Sequence, residues 1–285
     1  KRLGELGLLD RSRRPERLVR STPLAIEKLI VSMRHEHSTW GAAKIREVLL
    51  KRYSEMRIPV RSTIHEILDR NGLVTKRKRN RGKACPTDLR KPTDPNDLWC
   101  ADFKGQFRLG DRSYCYPLTI TDQVSRYLLG CEGLDSVCED SAQDQFELVF
   151  REYGLPAAIR TDNGTPFSSR GLLGLSKLSV WWLRLGIELE RIKPGHPEQN
   201  GRHERMHLTL KQDTTRPPGK NSLQQQERFD VFMDVFNNDR PQEALEIKTP
   251  ASIYRRSNRA FPEVLPEPDS PEHDLICYVN RSGMV

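Results

Sequence analysis

The chain has 285 residues, 36% hydrophobic and 30% charged, which suits a soluble globular protein of two domains, or of one domain with appendages. No apolar run reaches the roughly eighteen residues that a membrane span needs, the opening Lys1-Arg2-Leu3-Gly4 carries no signal-peptide pattern, and six scattered cysteines without a C-x-x-C pair argue against a disulfide framework or zinc ribbon and suit a reducing cytosol. The net charge of +8 is uneven: residues 1–100 hold 24 Lys/Arg against 12 Asp/Glu and residues 101–285 hold 23 against 27, so a basic arm that suits a polyanion precedes a mildly acidic body.

Residues 1–20 are Arg-rich and aperiodic, and read as a linker or the end of a missing element. Thr22-Pro23 predicts a helix start, with Leu24, Ile26, Leu29, Ile30 and Met33 as its apolar side. A second helix is expected after Trp40-Gly41, from Ala42, Ile45, Val48 and Leu49. Thr63-Ile64-His65-Glu66 has the capping-box pattern and opens a third, stopped by Asn71-Gly72. Three short helices with a basic surface suit a helix-turn-helix module over 21–73, or any small helical bundle. In the first reading Arg61, Ser62, Thr63 and His65 lie near DNA. Lys76, Arg77, Lys78 and Arg79 open a basic linker over 74–96, fit to lie along phosphates.

From Leu98 the pattern turns strand-like: Leu98–Phe107, Ser113–Thr121 and Arg126–Cys131 predict three successive strands. A helix is expected over Ser141–Tyr153, a buried strand over Ala157–Arg160, a helix over Leu175–Leu185, a strand over Ile187–Ile192 and a long helix over Asn200–Gln212. Three antiparallel strands followed by alternating helices and strands is an α/β order that fits a ribonuclease-H-like core over 97–216, with a mixed five-stranded sheet. Residues 222–238 predict another helix, 240–262 irregular chain, and 263–285 a linker and the start of a further domain. That last strand pattern breaks off, and no initiator Met is present, so a fragment of a longer protein is expected.

Asp102 lies within Trp99-Cys100-Ala101-Asp102-Phe103, a strand otherwise suited to burial, where an unpartnered carboxylate is costly. Asp162 follows a buried strand, at the end of a sheet where α/β folds gather ligands. Together they suit hard divalent cations; separately, Asp162-Asn163-Gly164 is also an ordinary turn and Asp102 also a partner for Lys or Arg. For a third carboxylate the segment 195–207 offers Glu198 on a loop and Glu204 on the helix, and the rigid element makes Glu204 the better ligand. His203-Glu204-Arg205-Met206-His207 also matches the H-E-x-x-H zinc-protease helix, with Glu227 available as a third ligand. The unexplained Asp102 and Asp162 weigh against that, and His203 and His207 are then expected on the helix surface or facing DNA.

Trp99–Gly105, Ile159–Phe167 and His196–Lys211 resemble the three signature blocks of the retroviral-integrase-like catalytic core, nearest to bacterial insertion-sequence transposases. The last block resembles His-Pro-x-x-Asn-Gly-x-x-Glu-Arg-x-His-x-Thr-Leu-Lys, whose catalytic Glu falls on Glu204. Asn238–Leu245 and Thr249–Tyr254 resemble the tail that follows such cores. The family's frequent spacing of thirty-five residues between the last two acids selects Glu198, whereas Glu204 leaves forty-one, a difference read as an insertion around Gly171–Ser179. The resemblance implies a transposase that cuts and joins double-stranded DNA by in-line phosphoryl transfer with two Mg²⁺ or Mn²⁺ ions. Asp102 would bridge both ions, Asp162 and Glu204 would each hold one, and Asn200 and Lys211 would grip DNA. It further implies a dimer or tetramer on DNA and a bacterial cytoplasmic, nucleoid-associated protein.

Overall fold

A computed structural model of the chain describes residues 22–74, 89–169 and 171–266. The basic run Lys76, Arg77, Lys78 and Arg79 lies outside the described residues. The chain divides into two units, 1–77 and 78–285.

In the first unit α1 spans Leu24–Glu36, α2 Ala42–Arg52 and α3 Arg61–Arg70. Pro23 is extended (ψ 138°) and takes the cap position expected of Thr22, its carbonyl accepting from the amides of Ile26 and Glu27. The capping box at Thr63 does not form. Val60 is extended and its carbonyl accepts from Ile64, so α3 starts two residues earlier, at Arg61, without a side-chain cap. Its end is as expected, at Asn71 and Gly72, the latter at φ +70°, a left-handed turn that glycine adopts without strain. Ile30, Ile45, Leu49 and Ile64 are fully buried between the helices, and Arg34 ties the carbonyls of Trp40 and Leu73 together. Arg61, Ser62 and His65 are exposed on α3, and Thr63 is half-buried.

The second unit is built on a mixed sheet. Its strands are β1 (Trp99–Phe103), β2 (Phe107–Arg108), β3 (Tyr114–Asp122), β4 (Leu128–Leu134), β5 (Ala158–Thr161) and β6 (Glu188–Arg191). The order is β2-β3-β1-β5-β6, with β4 along β3. The strands β1, β3 and β4 pair antiparallel, and β5 and β6 join parallel to β1. This is the expected ribonuclease-H-like sheet with one short addition. The single strand expected over Leu98–Phe107 breaks after Phe103, and its last residues turn onto β3 as β2. Arg126 sits at φ +62° in the turn between β3 and β4, so β4 begins at Leu128 rather than Arg126.

The parallel crossovers are α4 (Glu139–Tyr153) and α5 (Lys177–Arg184); α6 (Gly201–Thr214) and α7 (Ser222–Asp234) follow β6. Because side chains alternate across a strand, Trp99 and Ala101 of β1 and Leu118 and Ile120 of β3 face one way. There they meet Phe146, Phe150, Trp181 and Trp182 of α4 and α5. The intervening Cys100, Asp102, Thr119 and Thr121 face the other way, where His203 and His207 of α6 bond to Thr119 and Thr121. A second apolar cluster on the α6–α7 side joins Leu109, Cys115, Leu128 and Cys131 to Met206, Leu210, Phe229 and Phe232.

The helix expected over 222–238 changes at Val235 into a wider π turn, Val235–Asp239. The turn brings the Asn237 amide to β4, where it accepts from the Leu128 amide (2.8 Å) and donates to the Leu128 carbonyl (2.9 Å). Gln226 of α7 does the same one turn of sheet further on, accepting from Gly133 N and donating to Cys131 O, each at 3.0 Å. Residues 240–262 hold only short 3-10 turns and an isolated bridge, as expected of irregular chain. They are nonetheless tied down: Arg259 donates to the carbonyls of Pro156, Leu185 and Gly186, and Phe261 packs on Phe150. No helix among the described residues is long and apolar enough to cross a membrane.

Candidate active site

Three elements carry the three acids picked out in the sequence. Asp102 is the fourth residue of β1, on the face toward α6. The parallel register pairs Cys100 with Arg160, so Asp162, two residues past Arg160, leaves the sheet beside Asp102. The Asp162 carboxylate accepts from the Gly164 amide at 3.0 Å, and a Cβ on Gly164 would stand 3.1 Å from its other oxygen, so this turn excludes a larger residue without a shift. Asn163 points away and donates to the Ile192 carbonyl (2.7 Å). Glu204 is in the first turns of α6, exposed on a face with Leu208 and Lys211. Burial lifts the Asp102 carboxyl to about 7, and the charges of Asp162 and Glu204 push in the same direction against the Phe103 amide and Lys104.

Glu198 is placed differently. It lies on the 3-10 turn Pro197–Asn200, exposed, and accepts from His196 Nδ1 at 2.8 Å, which holds its carboxyl below the ordinary value. Asn200, expected to grip DNA, is instead enclosed at the start of α6, while Lys211 is exposed. Between Asp162 and α5 the chain forms a small closed loop: Ser168 bridges Leu175, and the Ser168 and Ser169 hydroxyls donate to Gly174 and Leu175 carbonyls. This loop overlaps the expected insertion.

His203 and His207 overturn the expectation of a surface or DNA-facing position. Both are buried. Thr119 Oγ1 lies 2.8 Å from His203 Nε2 and 2.6 Å from His207 Nε2, and Thr121 Oγ1 lies 2.9 Å from His203 Nδ1. The pair fills its space with threonine hydroxyls while Glu204 points outward, and Glu227 is exposed on α7. That is not the zinc-protease arrangement, in which both histidines and a water share one ion. The signal for burial was in the sequence: His203, Met206, His207, Leu210 and Thr214 fall on one helical stripe. Thr119 and Thr121, alternate residues of β3, were not singled out.

Burial drives His203 down to about 3 and His207, with help from the charges of His203 and Lys104, to about 2. An unfolded chain protonates these rings once the pH drops below about 6.5. The stability gained by keeping them neutral is therefore complete above that value and lost progressively as pH falls from about 6.5 toward 3. Asp102 works in the opposite sense between its ordinary 3.8 and about 7, and burial raises the Asp122 and Glu132 carboxyls in that same sense. The histidine share is read by difference: in metal-free buffer the melting temperature of the wild type is expected to fall more between pH 7 and pH 5 than that of His203→Gln, and parallel profiles would contradict the buried, neutral pair.

Comparison with known proteins extends this. Residues 92–197 match one family model and residues 185–250 a second, each described as an integrase core domain. The insertion element IS407 uncharacterized 31.7 kDa protein of Burkholderia multivorans is 26% identical over 179 residues, which are 60% of this chain and 59% of that protein. The insertion element IS476 uncharacterized 39.2 kDa protein of Xanthomonas euvesicatoria is 25% identical over 184 residues, 62% of this chain and 49% of that one. The chain thus spans between about half and three fifths of the length of these curated relatives. A chain of the simian T-cell lymphotropic virus intasome in complex with PP2A regulatory subunit B56 gamma shares the fold at TM-score 0.50 and 17% identity, over 89% of this chain and 78% of that one. Residues 92–250 are thus matched by integrase core domain models, and bacterial insertion-element proteins are among the chain's relatives.

Proposed function

We propose that the chain is a bacterial insertion-sequence transposase that cleaves DNA strands at transposon ends and joins them to target DNA. Asp102, Asp162 and Glu204 are its catalytic carboxylates. The observation that carries this reading is the state of Asp102: a carboxyl in mid-strand, lifted to about 7 by burial and by two further carboxylates from other elements. Such an arrangement is unfavourable by itself and becomes favourable around divalent cations, for which the oxygen donors are suited. Two Mg²⁺ or Mn²⁺ ions would be held by the three acids, supplying charge stabilisation at the attacking and leaving oxygens of an in-line displacement.

The protein's own residues would do the rest. β1 would hold Asp102 and the end of the neighbouring β5 would set Asp162 beside it, and α6 would present Glu204 and, about two turns on, Lys211 to the DNA backbone. The three-helix unit would act as the helix-turn-helix module, with Arg61, Ser62, Thr63 and His65 toward double-stranded DNA, and the run Lys76–Arg79 would add salt-sensitive phosphate contacts. Joining two ends calls for two active sites, so a dimer or tetramer on DNA is part of the proposal, as is a cytoplasmic location on the nucleoid.

The test is direct. The full chain is incubated with labelled DNA carrying the ends of its own element, with Mg²⁺, with Mn²⁺, or with chelator. Strand cleavage and joining are expected only with a cation; neither product on any end, with DNA shown to be bound, would overturn the proposal.

A further inference from the structure

The hydrogen bonds around Thr119 decide more than the packing of α6. Its hydroxyl has three polar neighbours: the Asp102 carbonyl oxygen at 3.1 Å, His203 Nε2 at 2.8 Å and His207 Nε2 at 2.6 Å. A hydroxyl owns one proton, and a carbonyl only accepts. If the proton goes to the carbonyl, both Nε2 atoms must donate to the oxygen. If it goes to His203, His207 Nε2 must still donate. In both arrangements His207 carries its proton on Nε2 and presents a bare lone pair at Nδ1. The remaining arrangement, with the hydroxyl proton given to His207 Nε2, puts an N–H on Nδ1 with nothing in reach, since Asp102 Oδ2 is 3.8 Å away.

His207 Nδ1 therefore faces a carboxylate oxygen across 3.8 Å, with its side chain 7% exposed. An ionised Asp102 against that lone pair is repulsive, and either a proton on the carboxyl or a cation between the two relieves it; 3.8 Å is too long for the proton's hydrogen bond and suits the cation. Divalent ions of the zinc and manganese kind bind imidazole nitrogen and carboxylate oxygen at roughly 2.0–2.2 Å, so two such bonds span up to about 4.2 Å. Metal-bound imidazoles also hold their second ring N–H in an orienting hydrogen bond, which is what Thr119 provides here. The neighbouring His203 is different. Both of its nitrogens are taken, by Thr119 and Thr121, so it holds the frame and not an ion.

We propose that His207 Nδ1, beside Asp102, is a further ligand of the active-site cation, adding one nitrogen donor to the carboxylates. The inference rests on the carboxylate-site reading above. A nitrogen donor shifts preference from Mg²⁺ toward transition ions such as Mn²⁺.

Pulsed electron paramagnetic resonance of the full chain loaded with Mn²⁺ alone reads the ligand atom directly. Nitrogen coupling is expected in the wild type, converted to the ¹⁵N pattern when the protein is made with ¹⁵N-histidine, a measurement that needs no variant. In His207→Asn the coupling should vanish and Mn²⁺ affinity fall about tenfold, whereas His203→Gln should keep the coupling. No nitrogen coupling in the wild type, or undiminished coupling in His207→Asn, overturns the inference. Asp102→Asn separates the two readings. If it binds Mn²⁺ as tightly as the wild type, the carboxylate site itself fails; if binding depends on Asp102 but shows no nitrogen, only the role of His207 falls.

Discussion

Glu204→Gln is expected to lower DNA cleavage and joining by about 10³-fold or more, while Glu198→Gln leaves both near the wild-type rate. The size follows from removing one cation ligand that contributes several kcal/mol to charge stabilisation, at about 1.4 kcal/mol per factor of ten. The direction follows from placement. Glu204 is charged against Asp102 on a rigid helix, whereas Glu198 lies on a 3-10 turn and is engaged with His196. Gln keeps the size of Glu at an exposed position, so folding should be untouched, and circular dichroism would verify that. The measurement is cleavage of labelled end DNA by each variant. A dead Glu198→Gln beside an active Glu204→Gln would reverse the assignment and restore the thirty-five-residue spacing.

Phe150→Ala should destabilise the second unit by about 3–5 kcal/mol, the range for truncating a fully buried aromatic. Phe150 is 0% exposed at the end of α4. Its ring lies against Trp99 of β1 at 5.8 Å, Phe146 of its own helix at 5.7 Å, Trp181 of α5 at 5.5 Å and Phe261 of the tail at 6.2 Å. One deletion thus opens a hole shared by four segments, none of which can close it alone. A fall in melting temperature on the order of 10 °C is expected by scanning calorimetry. A shift below about 2 °C would mean that the tail and α5 collapse onto the vacancy.

The sheet was legible because its strands alternate or run apolar over the right lengths, and both crossover helices because their apolar stripes are long. The acids at positions 102, 162 and 204 stood out as carboxylates in or beside apolar runs. What escaped was decided by tertiary contact. Thr63 looks like a cap only until Val60, extended at ψ 160°, takes the first helical bond. The histidines at 203 and 207 look like surface residues on a polar helix until the threonines of β3 are known to lie beneath them. Local sequence cannot show a partner more than eighty residues away. The tail after Arg240 likewise has no periodicity, because its hold on the core comes from single side chains such as Arg259.

The two side-chain amides that α7 and the π turn after it lay against β4 have a consequence for assembly. Leu128, Cys131 and Gly133 would otherwise offer a row of open backbone groups along the rim of the sheet, a template for another chain. Asn237 and Gln226 occupy those groups as a neighbouring strand would. The opposite rim, β6, is four residues long, and three of them, Glu188, Glu190 and Arg191, are charged. Neither rim invites continuation of the sheet from one copy into the next. If copies gather on DNA as proposed, they would meet through side chains, which would leave each sheet, and the acids it positions, undistorted by assembly.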